Sequence, residues 1–122
     1  MIGNDGRDWL SGQIDLLARG LAAMFGQLFA PEIEEEQKGS PVISEGSLLA
    51  YMIQKYLHDG KINEAENLLF ESLDTSATAA KLQLALNFYQ ELDKMNDEEL
   101  ENSNFSRQEI YDGLTGVKEF FS

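Results

Sequence analysis

Apolar residues recur along this chain at helical spacing, and nowhere do they alternate at the two-residue period of a half-buried strand. The pattern predicts an all-α fold. Leu10, Ile14, Leu17, Leu21, Met24 and Leu28 follow one another at steps of four and three, a heptad-like seam on a helix expected from about Asp8 to Phe29. Phe25 and Phe29 widen the seam on one flank, and Trp9, Leu16 and Ala23 form a second apolar strip on the other. A row of small residues, Ala18, Ala22, Gly26 and Ala30, would let another helix approach closely. A helix apolar over so much of its girth is either central to the domain or shared with a second chain. At 1.5 Å per residue it would be about 33 Å long, more than a globule of this size readily covers. Self-association through Trp9, Leu10, Ile14, Leu17, Leu21, Met24 and Leu28 is therefore expected.

Two prolines, Pro31 and Pro41, bracket an acidic, aperiodic stretch, so residues 31–43 are expected to form a solvated loop. Ser44 can cap a second helix with Leu48, Leu49, Met52, Ile53, Tyr56 and Leu57 on its inner side. Gly60 suits the left-handed position just past its end. Ile62, Ala65, Leu69 and Leu73 mark a returning helix. A fourth should begin near Thr75 or Ser76 and run to about Met95, with Leu82, Ala85, Leu86, Tyr89 and Leu92 inward. Near the end, Ser106 and Glu109 form a capping box, and Phe105 can staple against Ile110. Ile110, Leu114, Val117 and Phe121 then stripe a closing helix that Gly113 and Gly116 weaken by about 1 kcal/mol each, so it must dock to persist.

Two resemblances follow from these residues. Tyr56, Gly60-Lys61-Ile62, Glu64-Ala65, Leu69-Phe70 and Leu73 resemble the middle of a tetratricopeptide repeat, and Tyr89 stands 33 positions after Tyr56, near the 34-residue period of that repeat. The likeness covers about one and a half repeats and stops after Met95. The whole chain also resembles a family of small helical proteins from Gram-positive bacteria, classed as a domain of unknown function. That likeness rests on Asp8-Trp9-Leu10, Gln13-Ile14, Asp97-Glu98-Glu99-Leu100, Asn104 through Ile110, and Gly113-Leu114. It implies no activity and no catalytic residues. The expected architecture is one all-α domain of five or six helices over 1–122. It comprises a long N-terminal helix over 8–30, the acidic loop over 31–43, tetratricopeptide-like antiparallel helices over 44–95 and a capping segment over 96–122.

Composition narrows the function. The 122 residues carry 22 acidic and 9 basic side chains, a formal charge of −13, while 43% are hydrophobic. A folded core is expected, and nucleic acid or anionic lipid is not expected as a partner, because both need a basic face. Without cysteine there is no disulfide framework, thiol nucleophile or thiolate metal site. No apolar run is long enough to span a membrane, and the N-terminus lacks the basic and apolar regions of a signal peptide, so a cytoplasmic location is expected.

Candidate chemistry is sparse. His58, the single histidine, stands beside Asp59 at a helix end, where a general base is conceivable but dipole capping is the better reading. The carboxylates of Glu34-Glu35-Glu36 and of Asp93 to Glu101 offer oxygen to a hard cation, yet the glycine of a calcium loop is replaced by Glu98. No metal, cofactor or catalytic residue is therefore assigned. The expected function is a non-enzymatic interaction or scaffold module, homodimeric, that receives a protein or peptide, with a basic one favoured by the acidity. Gln54, Lys55, Gln83 and Asn87 are the candidate partner surface. The alternative is a small ligand-binding protein or enzyme with an inter-helix pocket built on Tyr51, Tyr56 or Tyr89 and a carboxylate.

Overall fold

The computed structural model describes the backbone of residues 5–38 and 45–121 and, within it, the side chains outside 5–8, 25, 27–38 and 45–47. The described residues form six helices, as the apolar periodicity requires: α1 (Asp5–Lys38), α2 (Glu45–His58), α3 (Ile62–Thr75), α4 (Ala79–Lys94), α5 (Asp97–Asn102) and α6 (Arg107–Phe121). None of them is long and apolar enough to cross a membrane.

The core is organised around α4, which packs against α1, α2, α3 and α6. Its buried side chains include Leu82, Ala85, Leu86, Tyr89 and Leu92, the inward positions that the spacing predicts, together with Ala79 and Phe88. A helix touching four neighbours must be apolar on several sides, and that is why Phe88, one step off the main stripe, is also buried. α1 lies across α4 and α6. α2 reverses at Asp59–Lys61 into α3, and Ala65, without exposed surface, lets other helices come close.

The helix ends follow from identifiable residues. Gly60 has φ +75, the left-handed conformation that glycine adopts without a steric penalty. The amide of Lys61 donates to the Tyr56 carbonyl and that of Gly60 to the Leu57 carbonyl, the paired bonds of a Schellman end. Asn104, at φ +57, does the same for α5, with Phe105 N–H donating to the Leu100 carbonyl at 2.9 Å. α4 starts at Thr78, whose hydroxyl accepts from the Lys81 amide, two residues beyond the expected start. α5 carries a capping box between Asn96 and Glu99. At α6 the Ser106 hydroxyl accepts from the Glu109 amide and donates to the Glu109 carboxylate.

Three differences from the sequence pattern stand out. First, α1 does not end near Phe29: it runs helically through Pro31 to Lys38, so the loop expected over 31–43 begins later, and residues 39–44, with Ser44, lie outside the described residues. Proline removes one backbone bond at that point, but Glu32 to Lys38 is rich in strong helix formers. Second, Leu48 and Met52 are 56% and 39% exposed, and only Leu49 and Ile53 of the α2 set are fully buried. With apolar residues on two sides of α2, periodicity alone could not say which side meets α3 and α4. Third, Lys81 and Arg107 are buried cations. Lys81 Nζ donates to the carbonyls of Ser72 and Ser76 and to the Ser76 hydroxyl, fixing the end of α3 to the start of α4.

Candidate interaction surfaces

The heptad seam of α1 faces the chain's own core. Ile14 and Leu21 are 2% and 1% exposed, Leu10 and Leu17 are partly buried against the same core, and Met24 is half-buried. The side chain of Leu28 lies outside the described residues. A second chain therefore cannot reach Ile14 or Leu21 without prising α1 from α4 and α6. Trp9 is different: it is 63% exposed, and Leu16, one heptad further on, is 62% exposed. The same outer face carries Gly12, Gly20, Ala23 and Gly26, all exposed. A β-carbon at Gly12, Gly20 or Gly26 would meet nothing within 4 Å. Arg19 and Asp15 form an exposed i, i+4 ion pair there, at 3.1 Å. α1 thus has one face anchored in the domain and a second that offers bulky and small apolar groups to solvent.

The four polar candidates are all exposed. Gln54 donates to Glu91 at 3.1 Å, linking α2 to α4, and Gln83 donates to Asn87 at 3.1 Å along α4. Lys55 is on the last turn of α2. Close by on α2, Tyr51 is 65% exposed beside Leu48 and Met52. Leu48 and Met52 border a groove of about 300 Å³ against Leu68 and the last turns of α3.

A third feature has no counterpart among the sequence candidates except Tyr89. Between α3 and α6 lies an open cleft of about 420 Å³, lined by Glu66, Asn67, Phe70, Glu109, Asp112, Gly113 and Gly116. Tyr89 reaches it from α4 and donates its hydroxyl to Glu66 at 2.6 Å. Burial raises the Glu66 carboxyl above its ordinary value, the Tyr89 hydrogen bond works against that rise, and the charges of Glu109 and Asp112 add to it. Burial, with Glu66 alongside, pushes the Tyr89 hydroxyl far above its ordinary value, so it stays protonated and acts as a donor. The arrangement holds one carboxylate in place and sets two more beside it. Its chemistry is that of accepting hydrogen bonds and positive charge. Tyr56 is half-buried and Tyr51 exposed, so neither joins this cleft.

Of the carboxylates considered as cation ligands, the side chains of Glu34, Glu35 and Glu36 lie outside the described residues, while Asp93 and Asp97 hold Arg107. Arg107 Nη1 donates to Asp93 Oδ1 at 2.8 Å and Nη2 to Asp97 Oδ1 at 3.0 Å, while the Asp93 and Met95 carbonyls accept at 2.9 and 2.7 Å. The guanidinium fork thus ties the end of α4 to the start of α5 from the first residue of α6. Among the described residues no group of three or more histidine, cysteine or carboxylate side chains is placed to hold a metal ion. His58 is exposed at the end of α2.

The chain belongs to the family of unknown function DUF6483, whose model matches residues 5–122. No curated protein and no solved structure matches it.

Proposed function

We propose, with membership of that family as the premise, that the protein is a non-enzymatic interaction or scaffold module acting in the cytoplasm and self-associating through α1. The observation that carries this reading is the exposure of Trp9 and Leu16 on a helix whose opposite face is buried in the domain. Large apolar side chains held on a rigid, anchored helix are what a helix–helix interface requires, and tryptophan is enriched where binding energy concentrates. The segment from α2 to α4, similar in part of its sequence to a tetratricopeptide repeat, supplies a further surface at Gln54 and Lys55 of α2 and Gln83 and Asn87 of α4. A protein or peptide partner with basic character suits the −13 charge.

Trp9 is the only tryptophan, so its emission reports directly on this face. As concentration rises through the micromolar range, emission should move to shorter wavelength while the helical circular dichroism stays constant. Emission fixed at the solvent-exposed position at every concentration would contradict self-association through α1.

The α3–α6 cleft favours a second reading, a site for a small cationic ligand, because Glu66 is held by a buried hydroxyl with Glu109 and Asp112 beside it. Titration with an alkyl guanidinium, followed through the amide resonances of Gly113 and Gly116, tests it. Saturable shifts lost in Glu66→Gln would support the pocket, and unchanged resonances would exclude that ligand class.

A further inference from the structure

The exposed strip of α1 has an internal order that self-association alone does not require. With Trp9, Leu16 and Ala23 as one heptad series, the companion series three residues on is Gly12, Arg19 and Gly26. All six are exposed. The first series is bulky or apolar. The second has glycine at both ends, with open space above each.

In a parallel pair of helices each position meets its own copy. Trp9 would meet Trp9, glycine would meet glycine, leaving a gap, and Arg19 would meet Arg19, a like-charge contact. In an antiparallel pair one series meets the other. Centred between Leu17 and Ala18, that arrangement sets Trp9 over Gly26 of the partner subunit and Gly12 against Ala23 of the partner subunit. Leu16 then meets Arg19 of the partner subunit. Each large side chain faces a small one or an aliphatic stem, and Arg19 comes within one residue step of the partner subunit's Asp15 as well as its own at 3.1 Å.

Charge also selects a second copy as the occupant. Between Trp9 and Gly26 the charged residues are Asp15 and Arg19, so the strip is neutral within a chain of −13. A basic partner would gain nothing there, whereas an identical neutral strip adds no charge conflict. The remaining acidic surfaces repel one another at long range, a repulsion that salt screens.

We infer that two copies pair antiparallel along the outer face of α1, Trp9 of each seated over Gly26 of the partner subunit. This rests on the self-association proposed above and specifies its direction and register.

The test uses the absence of native cysteine. Gly12→Cys and Ala23→Cys are prepared separately with distinguishable tags, mixed, and oxidised, while light scattering gives the mass of the wild type. Antiparallel pairing predicts a disulfide between the two different chains and little within either alone. Each position then lies about 16 Å along the axis from its own copy, beyond the reach of a disulfide. Cross-linking of Gly12→Cys with itself, or a wild-type dimer whose mixed variants do not cross-link, overturns the register and leaves self-association standing. A wild-type monomer throughout the micromolar range overturns both. Leu16→Lys, at an exposed position, sets a second cation against Arg19 of the partner subunit and should weaken the dimer by about tenfold or more with the helical signal unchanged; a folded variant dimerising as before would also overturn the inference.

Discussion

The hydroxyl of Tyr89, on α4, donates to the carboxylate of Glu66, on α3, at 2.6 Å, and does so directly against Gly113 of α6. Three helices therefore meet at one hydrogen bond whose acceptor lines an open, acidic cleft. The ring also packs edge-on against Phe88, with centroids 4.9 Å apart. Tyr89 is at once a core residue and the support of Glu66, the cleft carboxylate whose pKa burial raises.

The protonation of Glu66 gives a signed prediction. Because burial raises its pKa in the folded chain, the folded state holds that proton more tightly than the unfolded chain does. Its contribution is present at low pH and is lost as pH rises through the folded-state value. Glu66→Gln keeps a carbonyl to accept from Tyr89 and removes the repulsion from Glu109 and Asp112. Urea unfolding should find the variant as stable as wild type or more so at neutral pH, with a flatter dependence from the ordinary carboxylate value of 4.5 upward. Strong destabilisation at neutral pH would show that the charge of Glu66 is required by the fold.

Glycine replacements should separate by the space above them. At Gly113 a β-carbon would collide with the Tyr89 ring and hydroxyl, so Gly113→Ala should cost about 2–3 kcal/mol despite alanine's helix preference. At Gly116 the Phe70 ring stands at 3.2 Å, and a small shift should leave the change near neutral. Gly20→Ala, with nothing within 4 Å, should gain about 0.5–1 kcal/mol. Denaturant midpoints in this order check the packing of α6 on α4.

Arg107→Met should be among the most damaging single changes. The aliphatic stem is retained, but the carbonyls of Asp93 and Met95 lose a charged donor, and the carboxylates of Asp93 and Asp97 lose their shared cation. About 2–4 kcal/mol is expected, toward the lower part of the range because Asp97 is half-exposed. Arg107→Lys should recover only part of it, since one ammonium cannot span four acceptors. Equal stability of Arg107→Met and wild type would remove this residue as the tie between α4, α5 and α6.

Local rules made much of this fold readable beforehand. Gly60, the Ser106–Glu109 cap and the buried set Ile62, Ala65, Leu69 and Leu73 depend on neighbours within a few positions, and all stand where the pattern put them. Features that depend on distant neighbours were not readable. Long charged side chains default to solvent, so nothing local marks Lys81 or Arg107 as buried, and nothing near Gly113 announces a tyrosine 24 positions earlier. The α1 seam was legible as apolar but not in its destination, because a heptad pattern buries equally well against α4 and α6 or against a second chain. The exposed strip of Trp9 and Leu16 was visible as a flank, yet only the placement of Ile14 and Leu21 shows that it is the face left over.

Added salt gives a further check. If two chains of charge −13 pair through a neutral strip, screening lowers their mutual repulsion, so the dimer should tighten as ionic strength rises from low to physiological. An interface held mainly by Asp15–Arg19 pairs would weaken over the same range. Sedimentation across a salt series distinguishes the two signs.

The most direct test of pairing through α1 is the absolute mass in solution of wild type and of Leu16→Lys, measured by light scattering through the micromolar range. Wild type should show twice the chain mass and Leu16→Lys, with two cations opposed, a folded single chain. A wild type with the mass of one chain throughout that range, or a folded Leu16→Lys that still dimerises, would contradict pairing through this face.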